Sequence, residues 1–191
     1  MKKGESYHFD EYLFSLQKKA SRMIKRVNSL PFGNPFRERI FKKLFKNYGE
    51  NNVIKDNFVC NFGSNISIGD NCYFNHGVTI LDSFEVEIGN NVFLAPNVVI
   101  SAVTHPLVAE KRRELIIKKV TIEDDVWIGT GAVILPGVRI GDNSVIGAGS
   151  IVTKDIPSDV VAVGNPCKVL RDISEKDRIY YYKNKEIGDF K

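Results

Sequence analysis

Residues 122–157 read IEDDVWIGTGAVILPGVRIGDNSVIGAGSIVTKDIP, and every sixth residue in them is aliphatic: Ile122, Ile128, Ile134, Ile140, Ile146 and Val152. The same beat runs upstream as Ile68, Phe74 and Ile80, and again as Ile88, Leu94 and Ile100. A weaker one passes through Ile54, Cys60 and Ile66. A helix repeats every 3.6 residues and a strand every two, so neither sustains a period of six. A short period held this long means a solenoid, in which each repeat buries its face only against its neighbours.

The residues after each aliphatic position say how the chain turns. Ile68-Gly69-Asp70-Asn71, Ile88-Gly89-Asn90-Asn91 and Ile140-Gly141-Asp142-Asn143 share one pattern. Gly, Asn and Asp tolerate left-handed backbone better than other residues. Each hexad therefore reads as a short strand and a tight corner. Three hexads close a triangular coil of about eighteen residues, with the aliphatic residue pointing to the axis. The beat slips by two residues between Ile80 and Ile88, and it stops between Ile100 and Ile122. The interruption holds Thr104-His105-Pro106 and then the charged run 110–114. An insertion into a solenoid becomes a loop on its side, where function often sits.

The spacing predicts a helical segment over 1–49, a β-solenoid over 50–165 with an inserted loop at 103–119, and a tail over 166–191. In the first segment Phe9, Tyr12, Leu13, Leu16, Ala20, Met23, Ile24 and Val27 keep helical spacing. Asn34-Pro35 reads as a cap followed by proline at the first helical position, and Gly49 as a helix stop. That segment holds 12 Lys/Arg against 4 Asp/Glu, whereas residues 50–191 hold 15 against 19. The basic helices fit solvated faces; a membrane surface or nucleic acid remains open, though no groove-reading motif accompanies the charge. No apolar run of signal-peptide or membrane-spanning type is present. Three scattered cysteines with no CxxC pair argue for reduced thiols and a cytoplasmic protein.

The stretches FVCNFGSNISIGDN, ILPGVRIGDNSVIGAGSIVTKDIP and VVAVGNPCKVLRDI resemble the galactoside and maltose O-acetyltransferases of the hexapeptide-repeat acyltransferases. The likeness covers about residues 36–178, and its motifs stand in the family's order. It implies an all-β left-handed parallel β-helix of about five coils, a homotrimer, and acetyl-CoA bound in clefts between subunits. The hand runs against the usual right-handed crossover and does not follow from the spacing.

The resemblance also implies roles. A hydroxyl acceptor needs a general base, most often histidine, whose pKa near 6.5 suits neutral pH. The chain has three histidines, His8, His76 and His105, and His105 matches the family's catalytic one. His76 fits a surface position better. Asn75 and Asp82 match acceptor-contacting positions. The Thr130 N–H matches an oxyanion donor, and Trp127 flanks the pantetheine channel. Ala148, Thr153 and Lys154 match the coenzyme arm, and Lys168 and Arg171 its phosphates. Asn61, Ser83 and Lys168 stand where many relatives have other residues, and the 105–120 loop is about two residues shorter than in galactoside relatives. A plain galactoside or maltose acceptor does not follow from such a site.

The expected function is acetyl transfer from acetyl-CoA to a hydroxyl of a sugar-like small molecule, with His105 as base, no acyl-enzyme and no required metal. The alternative acceptor is a drug or a cell-surface polysaccharide. Two other classes compete. A metal enzyme of the γ-carbonic anhydrase type needs three imidazoles around its ion, and only two histidines lie in the solenoid. A non-catalytic hexapeptide-repeat binding protein would have no use for His105 and the donor stretch together. Neither nucleic-acid binding nor a membrane span is expected.

Overall fold

The computed structural model describes Ser6–Tyr7, residues 11–182 and Lys185–Glu186. Phe9 and His8 lie outside the described residues. Helix α1 (Glu11–Ser29) buries Ala20, Ile24 and Val27. Helix α2 (Pro35–Leu44) begins as its sequence predicts: Asn34 Oδ1 accepts the Phe36 N–H at 2.9 Å, with Pro35 in the first turn. Gly49 does not stop this helix, which has already ended at Phe45. It is a corner glycine of the solenoid, where an added Cβ would sit 2.3 Å from Asp70 Oδ1.

The solenoid starts at Asn47–Tyr48 and its strands stack into three parallel faces. Face 1 runs Asn47–Tyr48, Ile66–Ile68, Val86–Ile88, Val120–Ile122 and Arg139–Ile140. Face 2 runs Val53–Ile54, Tyr73–Phe74, Phe93–Leu94, Trp127–Ile128, Val145–Ile146 and Val160–Val163. Face 3 runs Val59–Cys60, Thr79–Leu81, Val99–Ser101, Val133–Ile134 and Ile151–Val152. Ile122, Ile128, Ile134, Ile140, Ile146 and Val152 are all at most 1% exposed, so the six-residue beat is the axis of the core. Full burial of each such side chain is worth about 2 kcal/mol. Ile66 is buried too, but the axial residue of its strand is Ile68, in register with Tyr48 and Ile88.

The corners carry the left-handed backbone. After face 1 it falls on Asn51, Asn71, Asn91, Asp125, Asn143 and Asp159, all with φ of 52–59°. The glycine two residues before Asn51, Asn71, Asn91 and Asn143 has a different task. A Cβ on Gly69 would lie 2.7 Å from the Gly89 backbone, so these glycines let successive coils approach. Between them a ladder of side chains takes up amides: Asp70 Oδ1 accepts Glu50 N–H, Asn90 Oδ1 accepts Asp70 N–H, and Asp124 Oδ1 accepts Asn90 N–H.

The two irregularities of the beat share one corner, the one after face 3. The upper coils are two residues longer there than the lower ones: ladder partners are 20 residues apart above and 18 below. The long interruption leaves from the same corner in the third coil. It folds back as an antiparallel hairpin, Val103–Thr104 on Leu115–Ile117, and Ser6–Tyr7 adds a third strand. Beyond face 2 the tail turns back as Lys168–Asp172, antiparallel to Val160–Val163, and leads into α3 (Glu175–Ile179).

Arg37 departs from the reading of solvated basic helices. It is 4% exposed and its guanidinium donates to the carbonyls of Val27, Leu30 and Ile54 and to Asp56 at 2.7 Å. One buried cation thus ties both helices to the first coil.

Candidate active site

His105 follows the first hairpin strand and is exposed. Its Nδ1 lies 2.8 Å from the Arg112 carbonyl and 3.0 Å from that of Glu114. Carbonyl oxygens only accept, so Nδ1 must carry the proton. In the neutral ring Nε2 then keeps its lone pair, the state a general base needs. The charged run 110–114 supplies both carbonyls through its backbone, a role that its composition does not announce.

The corner after face 2 carries a second group. Asn75, Ala95 and Gly129 stack there one coil apart, through Asn75 N–H to Leu94 O and Ala95 N–H to Ile128 O, both at 2.9 Å. Thr130 sits on the same corner, and Ala148 one coil further, joined by the Gly149 N–H to the Thr130 carbonyl at 2.8 Å. Among the described residues the Thr130 N–H has no acceptor. Beside this corner Tyr73, Asn75, Phe93, Leu94, Ala95 and Trp127 line an apolar cavity of about 300 Å³. Tyr73, Phe93 and Trp127 are in strand register, and the first two rings are 6.2 Å apart. Trp127 was legible by motif. Tyr73 and Phe93 were not singled out, although all three stand one residue before an axial position.

Other expected residues divide differently. Thr153 and Lys154 are exposed on the corner after face 3, the corner that sends out the His105 hairpin. Asp82 belongs to that corner but cannot meet an acceptor as expected, because it is 0% exposed. Its Oδ1 accepts the N–H groups of Asn61 and Phe62, both at 2.9 Å, while Oδ2 has no hydrogen-bond partner among the described residues. Burial pushes its carboxyl up to about 6, against the lowering effect of those amides. Asp82 therefore braces the corner, and Asn61 Nδ2 donates to Ser83 Oγ beside it at 3.3 Å. His76 is exposed and contributes its carbonyl to Asn97 N–H.

In the tail, Lys168 is exposed, but Arg171 is not free as the phosphate reading requires. Its two terminal nitrogens hold Asp177 at 2.7 Å each, a bidentate pair that fixes α3. The Arg171 hydrogen bonds hold the Asp177 carboxyl well below the usual carboxylate range. His105, Thr153 and Lys154 thus lie on one edge of face 3, and Asn75, Thr130 and Ala148 on the other. A single chain keeps the two groups apart by the width of that face.

The profile of the bacterial transferase hexapeptide (six repeats) matches residues 119–154. Galactoside O-acetyltransferase of Escherichia coli K12 is 50% identical over 153 residues, which cover 79% of this chain and 75% of that protein. A galactoside acetyltransferase in complex with coenzyme A superimposes with a TM-score of 0.93 at 42% identity, covering 96% of this chain and 94% of the other. A maltose O-acetyltransferase from Clostridium difficile 630 gives 0.86 at 42% identity, covering 90% and 94%. Such likeness along the solenoid fixes its hand as left, and it extends through the hairpin and the helices. By its fold, its motifs and these relatives, the chain belongs to the galactoside and maltose O-acetyltransferase family of hexapeptide-repeat acyltransferases.

Proposed function

We propose that this protein is an O-acetyltransferase that carries an acetyl group from acetyl-CoA to a hydroxyl of a sugar or sugar-like small molecule. The observation that carries the mechanism is the pair of carbonyls on His105 Nδ1, which puts the proton of the neutral ring on Nδ1 and its lone pair on Nε2. The acceptor oxygen attacks the thioester carbonyl while its proton passes to Nε2. A hydroxyl is far too weak an acid to ionise first, so attack and proton transfer must coincide. The carbonyl oxygen gains charge as the tetrahedral intermediate forms, and the Thr130 N–H is the donor in position to stabilise it. Collapse breaks the C–S bond, and the imidazolium returns its proton to the leaving thiolate. Acceptor and donor meet directly, so no acyl-enzyme forms.

The edges of face 3 bear on the assembly. The base lies on one edge with Thr153 and Lys154, and Asn75, Thr130 and Ala148 lie on the other, so a site is completed when the two edges of neighbouring chains meet. Three triangular prisms close a cyclic trimer in which each contact pairs unlike edges. Trp127 and the apolar cavity beside it suit the pantetheine arm, and Ala148, Thr153, Lys154 and Lys168 line its continuation. No helix among the described residues is long and apolar enough to cross a membrane.

An acceptor screen tests the function. Purified protein and acetyl-CoA are offered pyranosides, nucleotide sugars, oligosaccharides and hydroxylated drugs, and free thiol is followed. Acceptor-dependent thiol release with a mass gain of one acetyl on oxygen is expected. Acetylation confined to amines, or none across the panel, would contradict the reading.

A further inference from the structure

Residues 12–37 contain Lys18, Lys19, Arg22, Lys25, Arg26 and Arg37 and no acidic residue. Arg37 is buried and fully engaged, but the other five are exposed on α1. At 100° per residue they fall on the arc opposite the buried seam of Ala20, Ile24 and Val27. Among the described residues none of the five joins an ion pair. The neighbouring surface behaves otherwise. Lys42 is paired with Glu38 and Glu50, Lys46 with Glu85, Lys119 with Glu87 and Arg139 with Glu123. Among the described residues Lys55, Lys118, Lys154 and Lys168 are also without an ion pair, but they stand singly, whereas α1 gathers five unpaired cations on one face.

Aromatic side chains stand at both ends of this strip. Tyr12 and Phe14 are 68% and 50% exposed at its start, and Phe32, just past its end, is 51% exposed. Cations sit over two of these rings, Lys18 Nζ at 4.4 Å from the Phe14 centroid and Lys55 Nζ at 3.4 Å from that of Phe32. A helix of 19 residues is about 28 Å long, so the strip is a flat bar of positive charge with an aromatic ring at each end.

We propose that this face of α1 docks on a bilayer surface that contains anionic lipids. The charge selects a negative partner, and the aromatic ends select one with an interfacial region into which rings can sink. Nucleic acid would satisfy the charge but would leave the rings idle, since they flank the strip and do not line a groove. The apolar seam of α1 stays on the protein, so the contact is peripheral and electrostatic, with shallow aromatic anchoring. Such a contact is reversible and salt-sensitive. It would hold the enzyme beside acceptors that are made or carried at a membrane, and it stands or falls independently of the acetyl-transfer reading.

Co-sedimentation of the full chain with lipid vesicles tests this. With about 30 mol % phosphatidylglycerol in phosphatidylcholine, at about 0.1 M salt, the protein should sediment with the vesicles. Pure phosphatidylcholine should leave it in the supernatant, and about 0.5 M salt should release it. The triple variant Lys18→Glu, Arg22→Glu, Lys25→Glu should lose at least about a hundredfold in partitioning, since each basic residue contributes about fivefold. Its far-ultraviolet circular dichroism should stay unchanged. Phe14→Ser should weaken partitioning about threefold, with the charge intact. Should the triple variant fail to fold, the double neutralisation Lys18→Gln, Lys25→Gln replaces it and should cost about twenty-five-fold. Equal partitioning of wild type and charge variants would overturn the proposal. So would absence from anionic vesicles, including a result in which duplex DNA or heparin is bound instead.

Discussion

At the residue scale, the chemistry rests on a tautomer. His105 Nδ1 faces two backbone carbonyls, so in the neutral ring the proton sits on Nδ1 and Nε2 is the acceptor. His105→Ala should lower kcat by about a hundredfold to ten-thousandfold and leave the KM for acetyl-CoA nearly unchanged. Steady-state kinetics on any acceptor found in the screen will show this, and comparable kcat in both proteins would remove His105 from the mechanism. Asp82 makes a second prediction, about stability. Its pKa is raised from the ordinary 3.8 to about 6 by burial, so between those values the folded chain holds a proton that the unfolded chain has released. The stability from the protonated form is present below about pH 4 and is lost as pH rises through 6. Asp82→Asn removes the titration. Relative to wild type it should gain up to about 3 kcal/mol between pH 4 and pH 7, measured by urea denaturation at each pH. A difference that stays constant with pH would contradict this. The motif pointed to His105 and the Asx-rich corners were legible, but burial of Asp82 was not. A lone Asp in a hexad gives no sign of which way a lengthened corner turns it.

At the element scale, coils and tail make separate demands. A Cβ added at Gly69 would lie 2.7 Å from the next coil's backbone, whereas one at Gly131 has open space but a φ of +68°. Gly69→Ala should therefore destabilise by about 3 kcal/mol through overpacking, and Gly131→Ala by about 1 kcal/mol through backbone strain alone. Chemical denaturation separates the two, and equal losses would show that stacking distance is not what these glycines serve. In the tail, Lys168→Ala should raise the KM for acetyl-CoA about five- to tenfold. Arg171→Ala should change that KM less and should make the tail more sensitive to limited proteolysis, because it frees Asp177 from the clamp on α3. The reverse order of effects would restore Arg171 to the phosphates. The period of six exposed the coils because each axial residue must be apolar. The clamp was illegible because a strand-borne Arg and a helix-borne Asp six residues on share no periodic signal.

At the scale of the whole molecule, the fold was legible and the location of the site only half so. The sequence marks the interruption as a side loop, and because each break follows a run of three hexads it puts both irregularities on one corner. That face 3 alone separates this corner from the corner of Asn75 and Thr130 is what the stacked strands add. The central claim is that each site takes His105 from one chain and Asn75 from its neighbour. Co-expression of His105→Ala with Asn75→Ala tests it, with each variant also made separately. Shared sites in randomly mixed trimers should restore about a quarter of wild-type activity, since half the chains carry each intact residue. The mixed oligomer should run at three times the 21.5 kDa chain mass. Mixed protein no more active than its two parents would place both residues in one chain's own site and contradict the account.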